Sequence, residues 1–549
     1  MRLFTNDCGV TDGLAGRGSL SRSRGGVQLS IVVAAFSFVL VSSVGGQSSK
    51  TTPGEPVDRA FTAFFNAFTF DDIMAATDAI TRSGITFDDA YLRLKKGRTY
   101  SSEVATGVVE GQRREYGNVY HYSLDVPADY DPNRRYSVRI HLHGGVDARI
   151  VGGRRGTGAN ELPGDEPRIY ILPTAWARAP WWSEAQLANL RIILATAKHS
   201  YNIDENRVTL SGVSDGGTGT FYVAMRDTTP YASFLPLIGS IMVLGNPIYE
   251  LDDLYPNNLL AKPFFIVNGG RDPFYPTGDV TPIVRYLRRG GVSVDYHPQP
   301  EGDHNTVWWP AVKAPFERFE REHARNPLPD TLTWQCGERD AFCRAHWLTI
   351  ERLSSASGSE MRSDVNAVPM AALRRFGVRA TGARVTSVSE GSNAQKLGLA
   401  KFDVVLRVNG LPVGDDMDDV LEKCCTPGRE VRVAVLRNKE AFELKGLYQP
   451  STELEPTMTL LPRRQSRSGR VDLVKSGNTV RATTTGVAEF TLLISPDQFK
   501  FGEPMTVITN GQLSFTGLVD KSLSTLLKWA ARDDDRTMLF GAEIHVTVN

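Results

Sequence analysis

Arg207–Met225 reads RVTLSGVSDGGTGTFYVAM, and the fold turns on how this stretch is interpreted. RVTL has the β-branched, apolar character of a buried strand, and the residues after the glycines have that of a helix. Between them, GVSDG at Gly212–Gly216 is a G-x-S-x-G. Five loosely constrained positions recur by chance, so the pattern alone is weak. Its position between a strand and a small-residue helix start strengthens it. A strand-to-helix turn at this point holds Ser214 exposed and strained, while the glycines let the backbone turn sharply and keep side chains clear of neighbouring elements.

Working outward, VYHYSLDVP, YSVRIHLHGG and RIYILPTAW precede this stretch as strand-like runs, followed by a helical segment at Glu184–Ser200. Beyond it come strand-like SIMVLGN and PFFIVNGGRD, helix-like VTPIVRYLRRGG and strand-like VSVDYHP. Strands alternating with helices predict a mostly parallel α/β sheet covered on both faces. Ahead of it, Phe61, Phe64, Phe65 and Phe68 recur at helical spacing, so the lead-in reads as helical.

A serine nucleophile needs a base, usually histidine. In hydrolases with this turn the acid follows a late strand and the histidine the last one. Asp272 follows PFFIVNGG, and His304 sits in the turn after VSVDYHP. Both fall at carboxyl ends of strands, where open α/β sheets place their sites. His297 is the rival base and Asp279 the rival acid, while Asp303 is read as shaping the turn. Oxyanion donors come from HLHGG: Gly144 and Gly145 let backbone N–H groups point inward, and the N–H of Asp215 supplies the other donor. His143 is read as orienting that loop. Among the aromatic residues near the expected mouth, Trp182 and Trp308 are the candidates for substrate contact.

This ordered set, with the phrase YNIDENRVTLSGVSDGGTGT, resembles the α/β-hydrolase superfamily, and within it secreted esterases of the feruloyl-esterase and polyhydroxybutyrate-depolymerase type. The resemblance spans roughly Tyr116 to Ala324. It implies Ser214 as nucleophile, His304 as general base and then acid, and Asp272 orienting the imidazole, with hydrolysis through an acyl-enzyme. Prolyl-oligopeptidase-like relatives share the triad, so ester and peptide substrates are not separated by it. Asp215 is unusual beside the commoner apolar, Ala or Tyr neighbours of the nucleophile.

A separate block contains ARVTSVSEGSNAQKLGLAKFDVVLRVNGLPV and TPGREVRVAVLR. From about Met370 to Leu447 it resembles a PDZ domain. Phe376, Gly377 and Val378 fall where that family's carboxylate-binding loop lies, and Asp418–Cys425 where the helix flanking the groove lies. The resemblance implies docking of a peptide C-terminus by strand addition. Phe402 replaces the family's usual glycine before a strand, and it is strained if the position needs positive φ.

With 549 residues, three or four domains are expected. Lys+Arg and Asp+Glu both number 62, which argues against a nucleic-acid partner, since phosphate neutralisation needs a clustered basic surface. No cluster has metal-ligand spacing, and no cofactor is expected. Arg17, Arg22 and Arg24, the apolar run Ile31–Val41 and small residues before Gln47 have the layout of a secretory signal, predicting a secreted or periplasmic protein. In that compartment Cys336 and Cys343, between two strand-like runs, are expected to form a disulfide. Cys424 and Cys425 are expected to be buried thiols.

The expected organisation is a signal peptide (1–46), a helical segment (47–110), an α/β-hydrolase domain (111–326), a β hairpin (327–362), an inserted PDZ domain (363–450), a linker (451–470) and a β-rich C-terminal domain (471–549). The hairpin is expected to pack with the C-terminal domain. The favoured reading is an exported serine hydrolase cleaving carboxylic esters. A prolyl-oligopeptidase-like peptidase and a non-catalytic binding protein are the alternatives.

Overall fold

Six parallel strands, five of them buried along most of their length, form the centre of the molecule. They belong to an eight-stranded sheet of β1 (Gly107–Glu115), β2 (Asn118–Val126), β3 (Tyr136–Leu142), β4 (Ile169–Pro173), β5 (Ile203–Val213), β6 (Ser233–Leu237), β7 (Phe264–Gly269) and β8 (Val294–Gln299), in the order β1-β2-β4-β3-β5-β6-β7-β8. β1, β2 and β4 join antiparallel, and every pairing from β4 through β3 to β8 is parallel. The computed structural model describes residues 55–115, 117–146, 162–246, 251, 254–338, 340, 343–355, 367–368, 376–414, 417–450, 458–459 and 467–548. The expected signal peptide and most of the expected linker lie outside these residues.

Strands such as TLSGV and FFIVNG are buried on both faces because helices cover the sheet on each side. These are α4 (Glu184–Ser200), α5 (Asp215–Arg226), α6 (Thr277–Arg289) and α7 (Trp309–Glu322). Ile140, Leu210, Phe234 and Phe264 are almost inaccessible, and Phe221 of α5 stacks on Phe264 with centroids 5.7 Å apart. One strand expectation shifts: SIMVLGN is not a strand. The chain turns after SFLPL of β6 because Gly239 abuts the backbone of α5; a Cβ there would stand 2.8 Å from Gly217. Residues Ile241–Gly245 then form a 3₁₀ turn whose start is capped by the Ser240 hydroxyl. The result is an α/β-hydrolase fold with a mostly parallel sheet.

Three helices lead in: α1 (Glu55–Asn66), α2 (Phe70–Arg82) and α3 (Phe87–Lys96). Thr69 and Thr86 cap the second and third by accepting the N–H of Asp72 and Asp89. After α7, the chain makes β9 (Thr331–Gly337), β10 (Arg344–Ala345) and β11 (Leu348–Leu353), and a disulfide joins Cys336 to Cys343. A short strand, β12 (Ala367–Val368), opens the inserted block.

That block holds β13 (Val378–Thr381), β14 (Arg384–Val388), α8 (Asn393–Leu397), β15 (Val404–Val408), β16 (Leu411–Pro412), α9 (Met417–Cys424), β17 (Glu430–Arg437) and β18 (Glu440–Leu447), and β19 (Met458–Thr459) closes it by pairing with β12. It has its own apolar core, which includes Val385, Val405, Leu421 and Val433. Cys424 and Cys425 are half-buried free thiols.

The remainder comprises β20 (Ser468–Ser476), β21 (Thr479–Thr485), β22 (Val487–Ile494), β23 (Met505–Thr509), β24 (Gln512–Gly517), α10 (Leu523–Asp533) and β25 (Ala542–Thr547). β9 pairs with β20 and β11 with β22, so the two sheets of this module, β24-β23-β21-β20-β9 and β10-β11-β22-β25, are built from both sides of the insertion. α10 packs on the leading helices through Leu526 and Leu527 against Phe61, Ile80 and Leu94.

At the amino ends of the parallel strands, Glu320 of α7 takes charged hydrogen bonds from Arg139 of β3 and Arg168, and its Oε1 accepts from Thr209 Oγ1 of β5 at 2.8 Å. Burial pushes the Glu320 carboxyl up, but the two guanidinium groups outweigh it and hold the carboxyl below the usual glutamate range. A depressed carboxylate stabilises the fold above its unfolded value, and that contribution is lost as pH falls through the lower folded value. Glu320→Gln removes the carboxylate that both buried guanidinium groups bond, leaving Arg168 only Glu166 and Glu317 at 4.0 Å, and should cost about 3–5 kcal/mol in urea unfolding at neutral pH. The deficit relative to wild type should shrink on acidification below the ordinary glutamate range.

Candidate active site

Ser214 lies between β5 and α5 with φ 54° and ψ −117°, a conformation that costs a non-glycine residue on the order of 1–3 kcal/mol. Two glycines make room for it. A Cβ at Gly212 would stand 2.3 Å from the Gly216 carbonyl oxygen, and one at Gly216 only 2.0 Å from that of Leu142. Backbone bonds fix the turn on both sides, from Ser214 N–H to Leu237 O at 2.9 Å and from Thr218 N–H to Ser214 O at 3.0 Å.

The structure brings Ser214, His304 and Asp272 into one hydrogen-bonded chain. His304 Nε2 is 2.8 Å from Ser214 Oγ, and His304 Nδ1 is 2.8 Å from Asp272 Oδ2. The buried Asp272 carboxylate also accepts, at Oδ1, the backbone N–H groups of Phe274 (2.8 Å) and Tyr275 (3.0 Å). An acceptor-only carboxylate requires His304 to donate from Nδ1, which assigns the tautomer and leaves Nε2 to accept the serine proton. The turns carrying the two residues are stitched together: Gly270 N–H bonds to Gln299 O at 2.7 Å and Arg271 N–H to Gly302 O at 2.9 Å. Gly269 permits this approach, since a Cβ there would stand 2.3 Å from Gly302 O.

The rival residues lie elsewhere. His297 stacks on Phe265, with centroids 4.3 Å apart, and sits 3.0 Å from Asp295 on β8. Asp279 is in the first turn of α6, and Asp303 bonds to Asn305 N–H through its carbonyl. His141 is buried against Ser211 and held neutral, its pKa lowered to about 3 by burial and then by Arg139 and His143.

Gly144 lies directly against the serine: a Cβ there would stand 3.0 Å from Ser214 Cβ and 3.2 Å from Val213 O. Gly145 follows with φ +68°. His143 Nε2 accepts the Ala175 N–H at 3.0 Å, its Nδ1 bonds Gly144 O at 2.9 Å, and its carbonyl accepts Trp181 Nε1–H at 2.9 Å. One contact was not foreseen from sequence. Asp215 Oδ2 accepts the Val146 N–H at 2.9 Å, so the residue after the serine ties the glycine loop to the turn with its side chain. Its only sequence sign was an acidic residue where apolar ones are commoner.

Two aromatic expectations are corrected. Trp182 and Trp308 are 5% and 7% exposed and packed in the apolar clusters on either side of the sheet, so neither presents its ring to solvent. The available ring is Phe274, 67% exposed and edge-on to His304 with centroids 4.9 Å apart; Tyr275 stands 5.8 Å from the same imidazole. Phe274 is held there because its own N–H binds Asp272. Val307, in the histidine turn, is also exposed.

In the inserted block, Gly377 (φ +89°) and Val378 lead into β13, while the Phe376 side chain is buried against Tyr448, so it contributes to the core and not to a groove lining. Phe402 adopts φ +78°, the conformation that the family's glycine would take without strain.

The PDZ-domain family matches residues 359–445. No curated protein matches the chain. Among solved structures, the chain is similar to a thermostable esterase (22% identity, 40% of this chain and 63% of the other, TM-score 0.33). It is also similar to an S-formylglutathione hydrolase from Staphylococcus aureus (15%, 40% and 100%, 0.31) and to a ferulic acid esterase from Anaeromyces mucronatus (16%, 41% and 94%, 0.32). The inserted block thus carries a PDZ domain.

Gly216→Ala places a methyl group inside backbone contact distance of Leu142 and cannot be absorbed by a side-chain rotation. It should lower stability by at least about 2–3 kcal/mol, read as a fall in melting temperature or loss of soluble protein.

Proposed function

We propose that this protein is an exported serine hydrolase that cleaves carboxylic esters through an acyl-enzyme. The observation that carries the reading is the Ser214–His304–Asp272 chain abutting the Gly144–Gly145 loop. Ser214 Oγ attacks the acyl carbon as its proton passes to His304 Nε2, and the imidazolium is stabilised by Asp272. Negative charge collects on the former carbonyl oxygen, and the backbone N–H groups of the Gly144–Gly145 loop and of Asp215 are its donors. Collapse of the intermediate expels the alkoxide leaving group, which takes the His304 proton. Water, deprotonated by His304, then attacks the acyl-enzyme, releases the acid and restores Ser214.

The exposed Phe274 ring and Val307 beside His304 favour an apolar or aryl group on the substrate. The overall charge balance supports a neutral one. The PDZ domain is proposed to dock a peptide C-terminus. Export is supported by the N-terminal layout and fits the disulfide between Cys336 and Cys343.

Ser214→Ala should abolish labelling by a fluorophosphonate probe and lower hydrolysis of p-nitrophenyl butyrate by about 10³-fold or more. Retention of full activity by this variant would refute the assignment. An acyl-ester panel run beside a peptide-amide library separates esterase from peptidase. Faster turnover of the amides would replace the ester reading.

Asp215→Ala frees the Val146 N–H and loosens the glycine loop. It should lower kcat by about tenfold, less than the ~10²–10³ of a lost oxyanion donor, with KM little changed. Asp215→Asn keeps an acceptor and should retain most of kcat.

A further inference from the structure

The PDZ domain is not turned freely to solvent. Among the described residues β13 is an edge strand, paired only with β14 in its sheet. Val385, opposite Ala380 on β14, spends its N–H on Asp403 O (2.8 Å) and its carbonyl on Phe402 N–H (2.9 Å), both toward β15. In an antiparallel ladder the facing residue then turns its own polar groups outward, so the Ala380 N–H and C=O point to the free edge. That edge is where an added peptide strand would bond.

Helix α6 of the hydrolase domain stands at this edge and packs on β13. Gly278, in its first turn, is close enough that a Cβ would stand 3.4 Å from the Ala380 carbonyl oxygen. Two helical turns on, Arg285 forms an ion pair with Asp418 of α9, and Glu422 of α9 lies 3.8 Å away. The pair is largely buried, Arg285 being 15% and Asp418 4% exposed. Positions 278 and 285 are seven apart and share one helix face. The opposite face, with Val280, Ile283, Val284 and Leu287, is in the hydrolase core. One helix therefore touches both walls of the groove, the edge strand and the flanking helix.

We infer that α6 occupies the peptide-binding edge of the PDZ domain, so that a peptide C-terminus adding to β13 competes with the hydrolase domain for the same place. The inference rests on the proposed use of β13 as the peptide-binding edge. It adds that the groove has an intramolecular occupant. The helix begins immediately after Phe274 and Tyr275, whose N–H groups hold Asp272, so displacement acts on the segment that positions the acid.

Amide hydrogen exchange on the full chain tests this without reference to hydrolysis. Arg285→Glu sets a third carboxylate against Asp418 and Glu422, and Gly278→Leu wedges α6 away from Ala380 without altering charge. Each should speed exchange across 376–382 by at least tenfold, with rates in β17 and in the buried strands β5 and β7 unchanged. The charge swap Arg285→Asp with Asp418→Arg should restore wild-type protection. Unchanged exchange at 376–382 in both single variants, or a gain that the swap does not reverse, overturns the inference. Ester hydrolysis and probe labelling are separate readouts, so either proposal can fail without the other.

Discussion

Backbone crowding beneath Ser214 is the constraint on which the rest of the site depends. β3 and β5 run parallel in adjacent positions, and the loop after β3 and the turn after β5 must then share one small volume. They fit only because Gly144, Gly212 and Gly216 carry no side chains where a Cβ would meet backbone or Ser214 itself. The same crowding that strains Ser214 places the Gly144–Gly145 loop beside it. Strain at the serine and the placing of the glycine loop thus share one cause, and the Asp215 carboxylate closes the arrangement from the serine side. On the other flank, Gly269 lets the acid turn approach the histidine turn.

This explains what was readable in the sequence. The serine turn announces itself through glycine spacing, and Asp272 and His304 through their places after strands, because both signals are local. HGG was legible for the same reason. Burial of Trp182 and Trp308 was not, since an aromatic residue near a strand end looks alike in sequence whether it fills a core or lines a mouth. Phe274 became the exposed ring only through its N–H bond to Asp272. SIMVLGN carries strand-like composition, but Gly239 against α5 forces a turn, a tertiary override of local preference. The docking of α6 on the PDZ edge depends on residues more than a hundred positions apart and left no local trace.

The module built from β9–β11 and β20–β25 is joined to the hydrolase domain and to the leading helices. Arg325, just beyond α7, pairs with Asp535 at 2.6 Å, and Arg536 pairs with Glu205 of β5 at the same distance. Asn258 bonds to Gln335 O of β9 at 2.9 Å. The apolar contact between α10 and the leading helices adds to these, so this junction combines burial with several charged bonds. Its sheets also accept the insertion cleanly. The β12–β19 pair brings the incoming and outgoing chains together, so the PDZ domain hangs from one stem.

The PDZ–hydrolase junction has the opposite character. Among the described residues no apolar cluster spans it; its named contacts are a glycine against a carbonyl and one guanidinium among carboxylates. Such a contact is weak as an encounter between free molecules. The stem makes it intramolecular, and a short tether supplies an effective concentration of order millimolar, enough to keep a weak contact closed. A free peptide then sees an affinity reduced by the fraction of open groove. A junction meant to stay shut would bury leucines, as α10 does. A polar contact closed by tethering is the arrangement that a competing chain end can open, and that makes this groove suited to exchange of occupants.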